Sequence, residues 1–393
     1  MIDEISTYLQ QRIDVGDFPS AVYLVAERGE IVFQDALGHA VVEPERIPAK
    51  IDTIYDLASL TKPLVTCLLT ARLLENSILG IEDNVRNFLG DTRGSATAIK
   101  SLVTHTSGFP GWKPFYLMRD APAFDADDYG AAGENNDEIK QFVKREILRT
   151  PRVSDTARNV IYSDLNFLLL GFLVEQIVGR DLRSVAESDI FYRLGLKSTS
   201  FCGPGSSKYD CAASEHGNGY EKQTCMELGY LTSPGGASEI SDPRSGFREQ
   251  IIWGEVHDGN AWFMGGVAGH AGLFSTAEET FKIALQFLPG YTKLLKPETC
   301  ELFRTNFTPG MNEHRSFAFQ LASTPESTAG TTMSPQSFGH LGFTGTSLWI
   351  DPEKERVFIL LTNRTHAHPL PFVNINGVRR HFHDLAIDLL DQK

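Results

Sequence analysis

Ser59-Leu60-Thr61-Lys62 sets a hydroxyl and an amine three residues apart. A serine hydroxyl is a poor nucleophile until a base takes its proton. If a helix begins at Ser59, Lys62 lies one turn on, on the same face, within reach of the serine oxygen. Pro63 supports that start, because proline is tolerated in a first helical turn and costly further in. A helix start also aims free N–H groups and a positive dipole end at the reacting centre. Taken alone the pair is common by chance, and a surface capping serine is the plainer reading.

Two further segments add chemistry. Val160-Ile161-Tyr162-Ser163-Asp164-Leu165-Asn166 places a phenol just before an apolar helix. A tyrosine beside a lysine ammonium has its charged form favoured and can work as a base. The bland alternative is a half-buried tyrosine that anchors the helix. Gly339-His340-Leu341-Gly342-Phe343-Thr344-Gly345-Thr346 reads as a strand whose glycines let backbone approach a ligand closely. An edge strand here offers a backbone N–H to a developing oxyanion; a plain glycine-rich turn is the alternative.

Other polar groups carry less. The pairs His366/His368 and His381/His383 would suit a metallohydrolase, but the second pair falls on a helix, where alternate side chains diverge. Cys202, Cys211 and Cys225 lack the paired spacing that favours zinc. No metal and no cofactor is therefore called for. His105, His257 and His270 read as loop-holding histidines. The G-x-S-x-G elbow of another large hydrolase class is absent.

The elements needed to position these groups follow from periodicity. Residues 3–13 suit an amphipathic helix. Residues 21–27 and 31–34 form a hairpin across Arg28-Gly29-Glu30, and residues 64–74 form an apolar helix. Residues 137–150 form a charged amphipathic helix. Residues 164–178 form an apolar one, capped by Ser163 and stopped by Gly179. Thr276 and Glu279 suit a capping box for a helix through Leu288. Residues 347–350 and 357–362 flank Asp351-Pro352-Glu353-Lys354 as a second hairpin. Ile375, Val378, Phe382, Leu385 and Leu389 stripe a last helix. Segments 113–136 and 202–260 read as long loops of the kind that line binding sites. The order is sheet, helices, sheet. The fold class is α/β (α+β): an antiparallel sheet flanked by helices, with an inserted all-α domain. Residues 1–80 and 265–393 make the sandwich, and 81–264 the insertion.

The chain has 393 residues, enough for two structural units. Hydrophobic residues make up 41% and charged residues 22%, which argues against extended disorder. Thirty-six Lys and Arg against 50 Asp and Glu give a net charge of −14. So acidic a surface repels phosphate backbones and anionic headgroups, which disfavours nucleic-acid and membrane partners. No apolar run is long enough to span a membrane. No secretory signal is visible, and five irregularly spaced cysteines suit free thiols in a cytoplasm.

The three chemical segments, in this order, resemble those of the serine β-lactamase and penicillin-binding protein superfamily, most of all its class C β-lactamase and family VIII carboxylesterase branch. Leu102–Gly108, Gly254–Asp258, Gly266–Thr276 and Leu361–Arg364 resemble that branch too, so the likeness spans nearly the whole chain. It implies the two-part β-lactamase/transpeptidase-like fold with the site between the parts. It implies an acylated Ser59, proton transfer shared by Lys62 and Tyr162, and an oxyanion hole from the backbone N–H groups of Ser59 and Phe343. It leaves open which of Lys62 and Tyr162 is the base, since the two titrate together. Asp164, His340, Gly342 and Arg364 fall at substrate-contacting positions. Two departures matter. Asp164 stands where β-lactamases carry Asn, and His340-Leu341-Gly342 stands for Lys-Thr-Gly or Lys-Ser-Gly. A neutral histidine and a leucine lose the usual grip on a penicillin carboxylate. The expected reaction is hydrolysis of carboxylic esters through an acyl-enzyme. D-amino-acid amides or peptides come next, then β-lactams. A non-catalytic ligand-binding or assembly protein is the alternative of another class, with oligomeric state left open.

Overall fold

The structure, a computed structural model, describes residues 4–90, 97–124, 129–130, 134–205, 207–231 and 247–393. Its frame is a seven-stranded antiparallel sheet in the order β3-β2-β1-β10-β9-β8-β7. The strands are β1 (Ser20–Glu27), β2 (Glu30–Val41), β3 (Ile47–Pro48), β7 (Gln320–Leu321), β8 (Phe338–Leu341), β9 (Ser347–Asp351) and β10 (Arg356–Thr362). The two ends of the chain meet at its centre, where Tyr23 pairs with Leu360 and Val25 with Phe358. A second, three-stranded sheet runs β4 (Tyr55–Asp56), β6 (Leu273–Ser275), β5 (Ser200–Phe201).

Strand alternation gives the large sheet two apolar faces. Tyr23, Val25, Trp349, Phe358 and Leu360 point to one core, shared with Ile5 and Leu9 of the N-terminal helix (Glu4–Asp14) and Val378, Phe382 and Leu390 of the C-terminal helix (Asn376–Asp391). Val22, Leu24, Leu348, Ile350, Ile359 and Leu361 point to the other core. That core continues into the helices between β4 and β6. Its centre is the helix Asp164–Val178, buried along nearly its whole length. No described helix is long and apolar enough to cross a membrane.

Several local expectations are corrected. The hydroxyl of Ser163 does stand at the start of Asp164–Val178, but it donates to the Pro110 carbonyl at 2.6 Å instead of capping the helix. Gly179 ends that helix in the left-handed region, as expected. Thr276 caps its helix, while the Glu279 carboxylate turns away to accept from the Lys197 and Ser198 N–H groups. In the C-terminal helix Ala386, Ile387 and Leu390 are buried, whereas Leu385 and Leu389 sit at the margin. The segment read as a long loop at 202–260 holds a helix at Gly219–Glu227 and a short one at Gly259–Phe263. β8 is not an edge strand. β7 pairs with it only at Phe338 and Gly339, so the chain from His340 onward is bare on that side.

Candidate active site

Ser59 lies in a single 3-10 turn, Ala58–Leu60, directly after β4. Ala58 before it has φ +47°, a left-handed conformation costly for a residue with a Cβ. The buried Asp56 carboxylate holds that corner by accepting the Ala58 N–H at 2.8 Å and the His257 N–H at 2.8 Å. Burial pushes Asp56 up, against the two backbone N–H bonds. Thr344 and Thr346 donate to the Asp56 and Leu57 carbonyls at 2.8 and 3.2 Å, so the β8–β9 turn is tied to the serine corner.

After the corner the chain winds through a π-helical segment, Lys62–Cys67, with Pro63 in its first turn, where its missing N–H costs nothing. Lys62 is fully buried. Its ammonium donates to Ser59 Oγ at 2.8 Å and to the His270 carbonyl at 3.0 Å, and meets Asp164 Oδ1 at 2.7 Å. Burial alone would drive the amine down. The charge of Asp164, followed by Tyr162, more than offsets it, and the Lys62 pKa is raised. Lys62 is thus an ammonium that gives a hydrogen bond to the serine.

Tyr162 stands over the same group, with Lys62 Nζ 5.1 Å from its ring centroid. His105 packs on one side of the phenol at 4.4 Å and His340 at 5.8 Å, with Arg315 Cζ at 5.6 Å. Burial, with the charge of Arg315 and Lys62 behind it, holds His105 well below the usual histidine value. His340 is held down in the same way, with Lys62 the larger of the two charges. His105 Nδ1 accepts the Ser163 N–H at 3.0 Å, and His340 Nδ1 faces its neighbour's carbonyl, Leu341 O, at 2.9 Å. A neutral His340 cannot supply the cation that lysine would.

Ser59, Tyr162, Asp164, His340, Gly342, Phe343 and Arg364 line one cavity of about 460 Å³, and Lys62 touches it through Ser59. Their surroundings revise several expectations. Asp164 is the counterion of Lys62 as well as a wall of the cavity. A Cβ on Gly339 would fall 2.2 Å from the Trp349 ring, and one on Gly342 would fall 1.9 Å from Thr346 Oγ1. On the side where a Cβ would stand, these glycines make room for the protein's own packing, although both also line the cavity. Arg364 donates from Nε to the Phe343 carbonyl and from Nη1 to Val373 O, both at 2.8 Å. The loop histidines are held as read. His257 meets Glu215 at 2.8 Å and His270 meets Asp258 at 3.0 Å. His366 takes the Val42 N–H, and His383 bonds the Thr328 carbonyl.

Sequence reading missed Arg315, Arg379, Glu221 and Asp258, all of which line the cavity. Arg315 is paired with Glu313 at 2.6 Å. Glu221 accepts the Gly259 N–H and the Tyr116 hydroxyl; burial and the nearby Asp258 push it up to about 7. Asp258 is held well below the carboxylate range, chiefly by His270 against the effect of burial. Two signs were available in advance. One is that Asp258 closes the segment Gly254–Asp258, which carries part of the resemblance. Arg379 falls next to Val378 on the inner side of the last helix, where a charge needs a reason. Asp164, Asp258 and His270 form the one metal-ligand-like grouping among the described residues. Lys62 already supplies the cation at Asp164, and His270 is committed to Asp258.

This fold and cleft are those of a serine hydrolase. The chain matches the Beta-lactamase family over residues 5–379 and belongs to that family. An Escherichia coli protein named "Putative D-alanyl-D-alanine carboxypeptidase" is 30% identical over 93% of this chain and 83% of its own length. Among solved structures, EstCE1, a hydrolase with promiscuous acyltransferase activity, superposes with a TM-score of 0.69 at 20% identity, covering 97% of each chain. The octameric penicillin-binding protein homologue from Pyrococcus abyssi gives 0.68 at 19% identity, over 98% of this chain and 77% of its own. These two likenesses concern the fold.

Proposed function

We propose that the protein hydrolyses small carboxylic esters or amides through an acyl-enzyme on Ser59. The observation that carries this is the Lys62 ammonium, fully buried and 2.8 Å from Ser59 Oγ. A buried charge is expensive unless paired, and this one is paired with Asp164 while a second donor is directed at the serine oxygen. Lys62 is protonated and already donating, so the reactive form is the one in which Tyr162 is a phenolate beside that ammonium, and the serine proton passes to the phenolate oxygen as the hydroxyl attacks the carbonyl carbon. Lys62 stabilises the charge formed between them and lets the proton return to the leaving group. The Ser59 and Phe343 N–H groups receive the oxyanion. Water then repeats the cycle on the acyl-serine.

Esters are the first substrate class, because His340 and Leu341 do not provide the lysine and hydroxyl that grip a β-lactam carboxylate. A second reading, a D-amino-acid peptide, is favoured by Arg364, which faces the cavity with no carboxylate partner among the described residues, and by the name of the Escherichia coli relative. The helical insertion of residues 81–264 would carry the substrate-facing wall. The cytoplasmic assignment rests on five cysteines outside any disulfide. A panel of short-chain p-nitrophenyl esters, D-alanyl-D-alanine peptides and a chromogenic cephalosporin tests the reading. Ester turnover above the other two classes supports it. Turnover of peptides alone moves the assignment to the second reading, and no turnover with retained ligand binding leaves the non-catalytic one.

A further inference from the structure

Two arginines stand behind the turn that follows β8, and neither has a carboxylate partner among the described residues. Arg379, on the C-terminal helix, is 4% exposed. It donates from Nη2 to the Gly342 carbonyl at 3.1 Å and the Thr346 carbonyl at 2.9 Å, and from Nη1 to Asn376 Oδ1 at 2.9 Å. Its Nε is buried without a partner. Arg364 donates to the next carbonyl, Phe343 O. Burial pushes Arg379 down, and the like charge of Arg364 adds to it. For stability alone this is a poor arrangement. Arg379 is removed from water with only carbonyl and amide oxygens as partners, and the half-buried Arg364, stacked 5.1 Å from the Phe343 ring, adds a like charge beside it, where an apolar side chain at Arg379 would serve as well.

The carbonyl that Arg379 holds belongs to a particular amide. Gly342 C=O and Phe343 N–H are the two ends of one planar peptide unit, and a trans unit carries them on opposite sides. A charged donor on the oxygen draws electron density along the amide and makes its N–H more acidic. Hydrogen bonds in a chain strengthen one another in this way. Arg364 acts on the following unit. When negative charge develops at the carbonyl oxygen of a substrate, the two guanidinium groups gain a counterion they lack at rest.

We propose that Arg379, seconded by Arg364, is a positioning residue that strengthens the Phe343 N–H as an oxyanion donor by holding the carbonyl of the same peptide unit. This rests on the assignment of Phe343 to the oxyanion hole. It makes the two arginines contributors to the transition state that touch no reacting atom. Removing a whole oxyanion donor costs about 10² to 10³ in kcat, so weakening one costs less, about tenfold.

The test uses the full-length protein, a short-chain p-nitrophenyl ester and a small boronic acid that forms a tetrahedral anion on serine. In Arg379→Gln, kcat is expected to fall about tenfold with KM within twofold, and boronic acid affinity to fall by the same factor. Arg364→Gln should show the same paired loss, about threefold, and Arg379→Lys should recover part of the Arg379→Gln loss. In the acyl-enzyme of either Gln variant, the ester carbonyl stretch should move to higher frequency. A folded Arg379→Gln protein that keeps kcat and boronic acid affinity within twofold overturns the proposal. Should that variant fail to fold by circular dichroism, an Arg364→Gln protein with unchanged boronic acid affinity and carbonyl stretch overturns it. Boronic acid binding lost in Ser59→Ala establishes the nucleophile separately, so an error in that assignment shows there and not at Arg379.

Discussion

Lys62 and Arg379 are both cations taken out of water beside one cavity, and they are treated in opposite ways. Lys62 has a carboxylate at 2.7 Å and the Ser59 hydroxyl at 2.8 Å, and its pKa is raised. Arg379 has carbonyl and amide oxygens only, and its pKa is lowered. Burial penalises both charges, so the sign of the shift reports the partner. A cation with its counterion in place is settled in the resting protein and can act at short range on a proton. A cation without one is unsettled at rest and relieved only when negative charge arrives. The first arrangement suits activation of a hydroxyl, and the second suits stabilisation of an anion.

The contrast breaks first at Lys62. Lys62→Ala removes the ammonium from Ser59 and strands Asp164, so ester kcat should fall by about 10² to 10⁴, measured as initial rates on folded protein. Tyr162→Phe should lose a similar factor while leaving thermal stability near that of wild type. If Tyr162→Phe keeps full turnover, the phenol is not the proton acceptor.

Asp164→Asn sharpens the comparison by making Lys62 resemble Arg379. With its counterion gone, burial wins and the Lys62 amine should drop below the usual lysine value. The sign follows from linkage. In the wild type the raised value means that the charged pairing contributes fully at neutral pH and is lost only as pH climbs past the ordinary lysine range. In Asp164→Asn the alkaline limb of kcat/KM should therefore move to lower pH, with turnover at pH 7 down about tenfold. An unmoved limb would show that Asp164 does not set the state of Lys62.

The smallest effect is expected at Glu221, which burial and the neighbouring Asp258 push up to about 7. A carboxyl raised in the folded state contributes stability below the ordinary glutamate range that is lost as pH rises through its folded value. The melting temperature of the wild type should fall between pH 5 and pH 8 by more than that of Glu221→Gln, read by thermal unfolding at each pH. Equal falls would remove Glu221 from the account.

Much of this arrangement is legible in the sequence where a local rule governs. Continuous β-rich apolar runs at residues 21–27 and 357–362 give the central strands, and Gly179 gives the end of a helix. Ser59-x-x-Lys62 with Pro63 gives a hydroxyl–amine pair on one turn. What stays hidden depends on partners distant in the chain. Ser163 looks like a cap until Pro110 takes its hydroxyl. Glu279 looks like half of a capping box until Lys197 and Ser198 take its carboxylate. Gly339 and Gly342 suggest ligand approach, yet Trp349 and Thr346 occupy the space on the side where a Cβ would stand. Arg379 stands out on the apolar side of its helix, but its partners, the Gly342 and Thr346 carbonyls, come from a distant turn. Strand and capping rules act over a few residues, whereas these side chains are claimed by groups that only the completed fold brings near.

Intact-mass spectrometry of protein quenched during turnover of a slow p-nitrophenyl ester is the most direct test. A single acyl adduct that maps to the peptide bearing Ser59, absent from a Ser59→Ala protein that has also lost turnover, is the predicted result. An adduct on another residue, or undiminished hydrolysis by folded Ser59→Ala, would contradict the mechanism.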